Sequence, residues 1–294
     1  MTRLTTKAAA AAGPAAADAA DDVATARGRV RPLRWIAGIV MAVLLAQIAV
    51  FLVGNPGFEW DVVADYLFAG PVLRGLGMSV LLAVVAMAAG SLLGVALSAA
   101  ALSGFPPARW AAAAYITVFR GVPPLVQIIF WFNLAYLLPE ISVGIPFGPS
   151  FGHWSTNDVI TPLTAALVAL SLHEGGYLAE IIRGGLLSVP AGQRDAARAA
   201  GFTARQTFAR IVLPQAMRFI IPPSGSQFIS VLKGSSLVSV IALSDLLHSV
   251  QVIYNRTYEI VPLLLVACIW YLAVVTVLSA GQRRLERHFA RGAA

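Results

Sequence analysis

The chain has 294 residues, of which 58% are hydrophobic and only 12% are charged, with a formal net charge of +7. Soluble globular domains carry about 25% charged residues, so the composition excludes a soluble protein and predicts that most of the chain contacts lipid. The positive charge is almost entirely arginine and lies at the ends of apolar segments. That pattern is typical of the inner loops of a membrane protein and not of a nucleic-acid-binding surface.

Apolar segments appear early in the chain. Residues 1–32 are rich in alanine and basic side chains, and we interpret them as a flexible cytoplasmic tail. A transmembrane helix needs about 20 apolar residues, and residues 33–54 meet this length, which predicts an extra N-terminal transmembrane helix and not a cleaved leader. Further apolar runs predict a total of six transmembrane helices, with an elbow along the membrane interface over residues 110–119. The runs after the first cover residues 76–102, 123–138, 159–182, 219–247 and 260–281.

The basic residues predict the orientation of these helices. With the N-terminus inside, the inner segments hold most of the arginines, whereas the outer loops hold only Arg74 and Arg256. Inner loops of membrane proteins carry the excess of Lys and Arg. We therefore expect a multi-pass membrane protein with both termini in the cytoplasm.

A polar inner loop over residues 183–218 interrupts the apolar pattern. Pro190 suits the first turn of a helix, Gly201 suits its C-terminal cap, and Thr203 with Gln206 matches a capping box for a second helix. That helix is expected to end at Leu213, before Pro214. The pattern predicts a short helical hairpin, which either docks in a groove of another protein or is a solvated surface feature.

The motifs in this loop resemble the EAA loop of ABC importer permeases. Asp195-Ala196-Ala197, Gly201 and Ile211-x-Leu213-Pro214 keep every spacing of that loop, and Asp195 in place of Glu is the one departure. Other segments resemble the polar amino-acid permeases of the same class, in the same order along the chain. They are Phe119-Arg120-Gly121-Val122-Pro123-Pro124-Leu125-Val126-Gln127, Gly175–Gly185, Pro214-Gln215-Ala216 and Lys233-Gly234-Ser235-Ser236-Leu237.

The resemblance implies an all-α integral membrane protein with a type I importer core of five helices, here residues 75–291, plus the extra N-terminal helix. It implies two cytoplasmic ATPase subunits that bind ATP and Mg, a second permease that is a copy of this chain or a related one, and an extracytoplasmic solute-binding protein. This chain would bind no cofactor and perform no catalysis. The residues that would couple it to the ATPase are Asp195, Ala196, Ala197, Arg198, Gly201, Ile211, Leu213 and Pro214.

Polar residues inside the apolar runs are candidates for a substrate pathway, because ionisable groups in a membrane are costly. Lys233 and Glu174 fall near the middle of their predicted helices and would pair with the carboxylate and the ammonium of an amino acid. Asn133, Ser235 and Ser236 would add hydrogen bonds. The alternative is a structural ion pair between Lys233 and Glu174, or a position facing the second permease.

Two other classes of membrane protein fit the sequence less well. A gradient-driven transporter or channel favours several intramembrane carboxylates or two related halves, and the sequence has neither. A membrane enzyme needs a catalytic or metal-binding grouping, and the single cysteine and four histidines do not form one in the sequence. Neither class explains the polar loop.

Overall fold

The computed structural model describes residues 32–144 and 150–290, so the predicted tail lies outside the described residues except for Pro32. The chain divides into two compact units, Met1–Phe58 and Glu59–Ala294. In the first unit, helix α1 covers Pro32–Gly54 and a 3₁₀ turn covers Pro56–Phe58. Helix α1 is apolar on every side, as expected for a helix that crosses a membrane.

The second unit confirms the predicted helical membrane fold and adds one short β-hairpin. The hairpin lies in the loop predicted between the third and fourth transmembrane segments, and its two antiparallel strands pair Ile141 with Trp154. The elements in chain order are α2 Trp60–Leu67, α3 Gly70–Leu102, α4 Pro106–Gly121, α5 Pro124–Phe132, β1 Glu140–Gly144, β2 Ser150–Ser155, α6 Thr156–Val159, α7 Pro162–Leu187, α8 Ala191–Ala199, α9 Ala204–Thr207, α10 Leu213–Gly234, α11 Leu246–Thr257 and α12 Ile260–Ala290.

Within the described residues, the number of candidate membrane crossings agrees with the six predicted. Helices α1, α3, α7 and α12 are long and apolar enough to cross a membrane as single helices, and two bent pairs bring the number to six. In one pair α4 meets α5 at 100°, and in the other the segment Ala204–Ile241 meets α11 at 44°. The predicted elbow is therefore a helix, α4, that turns sharply into the third crossing.

Helices α3 and α7 pack closely at the centre of the second unit because glycines line their contact. A Cβ atom added to Gly90 would lie 2.7 Å from Glu174 Cβ, and one added to Gly94 would lie 2.8 Å from Leu178 Cβ. Small residues let helix backbones approach closely in membranes. Gly175 also lies in this contact, since an added Cβ there would lie 2.6 Å from Leu93 Cδ2.

The sequence predicts that Pro222 and Pro223 break the fifth crossing, and this prediction is wrong. Helix α10 continues through both prolines from Leu213 to Gly234. Proline removes a backbone donor, but membrane helices tolerate it when nearby groups satisfy the carbonyls around it. The carbonyls that lose their helical donors are those of Arg218 and Phe219. Close to them, Ser224 Oγ donates to Ile220 O at 2.8 Å, and Gln282 Nε2 from α12 donates to Pro222 O at 3.4 Å.

The expected end of the loop's second helix at Leu213 is also wrong. After α9, a π-helical turn over Phe208–Val212 leads directly into α10, so the helix continues past Pro214. In this turn Leu213 N donates to Phe208 O, five residues back, and the side chain of Gln215 donates to Ile211 O at 2.9 Å. The π turn thus leads into α10 without a break at the proline.

The break in the fifth crossing lies further along the chain than predicted. Helix α10 gives way at Ser235–Ile241 to a 3₁₀ segment, and Ala242 adopts a left-handed conformation with φ of 56°. Asp245 then caps the first turn of α11 by accepting a hydrogen bond from His248 N at 2.8 Å. Below, the "loop end" denotes the end of the bundle with α8 and α9, and the "hairpin end" denotes the end with β1 and β2.

Candidate functional site

An open cavity of about 460 Å³ lies where α7, α10 and the α4–α5 bend meet. Its walls combine backbone and apolar groups from the bend with polar side chains from three helices. The polar and ionisable residues that line it are Arg120, His173, Glu174, Tyr177, Gln227 and Ser230. A concave site with a few convergent polar groups is the usual form of a small-molecule site.

Glu174 forms the anionic wall of this cavity. Its side chain lies on α7, and the residue is only 3% exposed. Gln227 Nε2 from α10 donates to Glu174 Oε1 at 3.2 Å, whereas Glu174 Oε2 has no hydrogen-bond partner among the described residues. A buried carboxylate oxygen without a partner is costly, so Glu174 Oε2 is an unused acceptor beside the cavity.

Arg120 supplies the positive charge at the same cavity. It is the penultimate residue of α4, and its guanidinium carbon lies 5.0 Å from the centre of the Tyr177 ring. Arginine over an aromatic ring gains a cation–π attraction and keeps its donors available. Gly176 leaves room for this approach, because an added Cβ there would lie 3.2 Å from Arg120 Cγ.

The structure separates the other predicted pathway residues from Glu174. Lys233 lies in the last turn of α10, not at the middle of a straight helix, and its side chain is exposed and makes no hydrogen bond or ion pair in the described part of the chain. The alternative of a Lys233–Glu174 ion pair is therefore not seen there. Ser235 Oγ donates to Leu232 O at 2.8 Å.

Ser236 and Asn133 are likewise not among the residues that line this cavity. Ser236 Oγ donates to the backbone oxygen of Lys233 at 2.9 Å. Asn133 caps α5 and donates from Nδ2 to Ile129 O at 2.8 Å, and it lines a separate cavity at the hairpin end with Tyr136. Of the five residues predicted for the pathway, only Glu174 lies at the cavity of the bend.

The sequence did not single out five residues that matter at this site or close to it. Arg120, Gln127 and Tyr177 were named only as members of the family motifs. Gln227 had a usable signal, because it is a polar residue within an apolar run. Asp245 was also missed: it is fully buried and accepts a hydrogen bond from Tyr271 OH at 3.3 Å.

The predicted coupling loop forms a helical hairpin that is attached to the bundle on one side. Arg194 Nη2 donates to Leu186 O at the end of α7 at 2.8 Å, and Ala197 is only 5% exposed. Val189 and Val212 pack in a small apolar cluster with residues of α7 and α10. These contacts fix the position of α8 on the bundle.

The other side of the hairpin is exposed. Asp195 and Arg198 form a solvent-facing pair with Oδ1 and Nη1 3.7 Å apart. Of the predicted coupling residues, Ala197 is buried and Ile211 is half-buried, whereas those that are exposed are Asp195, Ala196, Arg198, Gly201, Leu213 and Pro214. The exposed set presents a small-residue surface with one ion pair, which suits close contact with another protein.

The local turn chemistry of the hairpin follows the prediction. Gly201 has a φ of +79° and forms a Schellman motif, with Gly201 N donating to Arg198 O at 2.9 Å and Phe202 N to Ala197 O at 3.0 Å. Thr203 and Gln206 then form the predicted capping box at the start of α9. A bundle with bent crossings, a polar central cavity and a projecting helical hairpin defines a multi-pass membrane transport protein.

The comparison with known families supports the same class. Residues 86–291 match the family of binding-protein-dependent transport system inner membrane components. That range covers more than half of the chain, so the chain belongs to this family. Members of the family are transport subunits and not enzymes, and the resemblance stated from the loop motifs is confirmed.

Several curated relatives match most of their own length. The arginine transport system permease protein ArgU of Corynebacterium glutamicum is 36% identical over 283 residues, which are 95% of this chain and 87% of that protein. The glutamate/aspartate import permease protein GltK of Escherichia coli O157:H7 is 35% identical, and the match covers 74% of this chain and 92% of that protein. The L-cystine transport system permease protein TcyB of Bacillus subtilis is 33% identical, with 79% and 93% covered.

Solved structures show the same fold. An amino acid ABC transporter crystallised with histidines matches with a TM-score of 0.66 and 29% identity, covering 78% of this chain and 98% of that chain. An inward-facing structure of the MetNI methionine ABC transporter matches with a TM-score of 0.57 and 18% identity, covering 74% and 96%. The second likeness concerns the fold alone.

Proposed function

We propose that this chain is the permease subunit of a bacterial ATP-driven importer for polar amino acids, and that substrate passes through the cavity at the α4–α5 bend. One observation carries the proposal: a buried carboxylate with a free oxygen, on Glu174, and a guanidinium, on Arg120, line the same cavity. A free amino acid carries one ammonium and one carboxylate. The names of relatives that move arginine, glutamate or aspartate, and cystine agree with this substrate class.

The cavity meets both charges of such a substrate. Arg120 binds the carboxylate, because a guanidinium fork matches carboxylate geometry. Glu174 Oε2 accepts from the ammonium, or from a guanidinium in the side chain, while Gln227 holds Oε1 in place. The cavity volume of about 460 Å³ is within the range of small-molecule sites, so a single amino acid fits.

The partners follow from the loop and the family. Two cytoplasmic ATPase subunits, which bind ATP and Mg, dock on the exposed side of α8, and a second permease completes the membrane unit. A solute-binding protein delivers the substrate to the hairpin end. This chain itself binds no cofactor and transmits movement from the ATPase to the cavity.

The orientation rests on the distribution of arginines. The loop end carries the arginines of residues 183–218 and of the end of α12, whereas Arg74 and Arg256 lie toward the hairpin end. The loop end and both termini are therefore placed in the cytoplasm, and the chain in the inner membrane. Lys233 is exposed on this permease, which favours the alternative that it faces the second permease.

The proposal is tested by direct binding to the detergent-purified complex of permease and ATPase, without the binding protein. Labelled arginine and labelled glutamine are the probes, and equilibrium dialysis gives the dissociation constant. We expect Glu174→Gln to weaken binding about tenfold, which corresponds to about 1.4 kcal/mol, because the ammonium or guanidinium loses its charged acceptor. If only arginine binding weakens, Glu174 contacts the guanidinium of the arginine side chain. If the binding of both probes weakens, Glu174 contacts the α-ammonium.

Glu180→Gln is the matched control. Glu180 is a carboxylate on the same helix, but it pairs with Arg183, with Oε2 and Nη2 2.7 Å apart, and it is not among the residues that line the cavity. The dissociation constants of the Glu180→Gln variant for arginine and glutamine should stay within about twofold of the parent values. Unchanged affinity in Glu174→Gln for both probes would remove the cavity from the substrate path.

A further inference from the structure

The bend between α4 and α5 leaves backbone carbonyls without their usual helical partners. In a continuous helix, Phe119 O would accept from the N–H of residue 123 and Arg120 O from that of residue 124. Both of these residues are proline, which has no N–H. Helix α4 accordingly ends at Gly121, and α5 leaves it at 100°. An unsatisfied carbonyl in a membrane interior is costly.

Gln127 supplies the missing donor from the second turn of α5. Its Nε2 donates to Phe119 O at 3.0 Å and to Val122 O at 2.8 Å. The residue is only 5% exposed, so no solvent competes for these bonds. One amide group therefore connects the end of α4, the connecting residues and the start of α5.

The same nitrogen also contacts α7. Gln127 Nε2 lies 3.2 Å from His173 Nδ1, a contact that the two amide protons share with the two carbonyl bonds. Reversing the amide would place its oxygen against two carbonyls. The present orientation leaves Gln127 Oε1 buried without a partner among the described residues.

Arg120 lies inside the segment that Gln127 holds. It falls between Phe119 and Val122, whose carbonyls Gln127 binds, and its guanidinium rests over Tyr177, one turn beyond His173 on α7. A second tie between α4 and α7, from Tyr115 OH to Leu172 O at 2.8 Å, lies five residues before Arg120. Gln127 therefore binds the backbone on either side of Arg120 and joins this end of α4 to the start of α5.

We propose that Gln127 is a positioning residue, which clamps the α4–α5 bend and thereby holds Arg120 at the substrate cavity. The inference rests on the proposed function, in which Arg120 binds the substrate carboxylate. Gln127 does not itself touch the substrate, since it is not among the residues that line the cavity.

The first experiment measures the bend alone. Spin labels are placed at two exposed positions, Ala113→Cys on α4 and Phe130→Cys on α5, in a Cys268→Ser background, within the permease–ATPase complex. Gln127→Met keeps the length of the side chain but has no donor. We expect it to broaden the distribution of label distances measured by pulsed electron paramagnetic resonance.

Gln282→Met is the matched control for this substitution. Gln282 also donates from Nε2 to a backbone carbonyl, Pro222 O, and to Ser226 Oγ at 2.6 Å, but it lies on α12 away from the bend. Its distance distribution should match that of the parent. An unchanged distribution in Gln127→Met would overturn the proposal.

The second experiment measures the binding of arginine and glutamine to permease–ATPase complexes that carry the same glutamine substitutions but no spin labels. Gln127→Met should raise both dissociation constants about threefold to tenfold, the range expected when hydrogen bonds that hold a charged group are lost. Gln282→Met should leave them within about twofold. A loosened bend with unchanged affinity would overturn the positioning role.

The two proposals fail in different ways. If Glu174→Gln weakens binding and Gln127→Met does not, the cavity stays the substrate site and the clamp is overturned. If neither variant weakens binding, the substrate cavity itself is wrong, whatever the label distances show. Weaker binding in both variants, together with the broadened distances, supports the clamp.

Discussion

At the scale of single residues, Gly201 links the sequence to the proposed coupling surface most directly. Its φ of +79° allows the chain to leave α8 through a Schellman motif and start α9. Nothing lies within 4 Å of a Cβ added there, so any side chain has room. The requirement for glycine is a matter of backbone conformation and not of space.

This distinction gives a prediction for two substitutions at Gly201. Gly201→Ala should destabilise the hairpin by about 1–2 kcal/mol, because a Cβ disfavours the left-handed region, and should reduce the amount of ATPase that co-purifies with the permease. Gly201→Asn should have a smaller effect, because asparagine tolerates this conformation better. Equal losses in both variants would indicate a steric cause and contradict this account.

At the scale of elements, prediction succeeded where short-range bonds decide the structure. The capping box of Thr203 and Gln206, the proline start of α8 and the glycine stop at Gly201 each involve atoms within a few residues. The prolines at 222 and 223 were misread because α10 continues through both, and whether a membrane helix tolerates a proline depends on the groups packed around it. The helix end predicted at Leu213 failed because a π turn absorbs Pro214.

The candidate site was only partly predictable for a related reason. Ranking residues by their position in an apolar run assumes straight helices, but the third crossing bends by 100° and the fifth by 44°. In the bent structure, Arg120 and Glu174 line one cavity at the α4–α5 bend, and Asn133 and Lys233 are not among the residues that line it. Of the predicted Glu174 and Lys233, only Glu174 lines the cavity, and Arg120 is the cationic residue that lines it with Glu174.

The contact between α3 and α7 yields a prediction about stability. Gly90→Ala should lower the free energy of unfolding by about 1–3 kcal/mol, the usual cost of overpacking, because the new Cβ would lie 2.7 Å from Glu174 Cβ and 3.2 Å from Gly175 N. The thermal midpoint of the detergent-purified protein measures the effect. Displacement of Glu174 should also weaken substrate binding in the dialysis assay.

Gly77→Ala on the same helix provides the comparison. A Cβ at Gly77 would meet nothing within 4 Å, so we expect a neutral or slightly stabilising effect, since alanine favours helix more than glycine does. If both alanine variants lower the midpoint equally, glycine at position 90 matters for flexibility and not for close contact.

At the scale of the whole molecule, the proposed orientation predicts chemical accessibility. In a Cys268→Ser background, Phe151→Cys on β2 should react with a membrane-impermeant maleimide in intact cells. Arg205→Cys on α9 should react only after the membrane is permeabilised, because the arginine-rich loop end faces the cytoplasm. Both positions are exposed, so access and not burial decides the reaction. Labelling with the reverse pattern would contradict the orientation.

The continuity of the chain from α9 through the π turn into α10 has a mechanical consequence. Residues 204–234 form one unbroken helical rod of about 46 Å, at 1.5 Å per residue. Its first turn belongs to the exposed hairpin, and Gln227, which holds Glu174, belongs to its far part. A tilt of about 5° around the middle of such a rod moves each end by about 2 Å. If the rod moves as one piece, a displacement of the hairpin is carried to Gln227 and, through its hydrogen bond, to the carboxylate of Glu174.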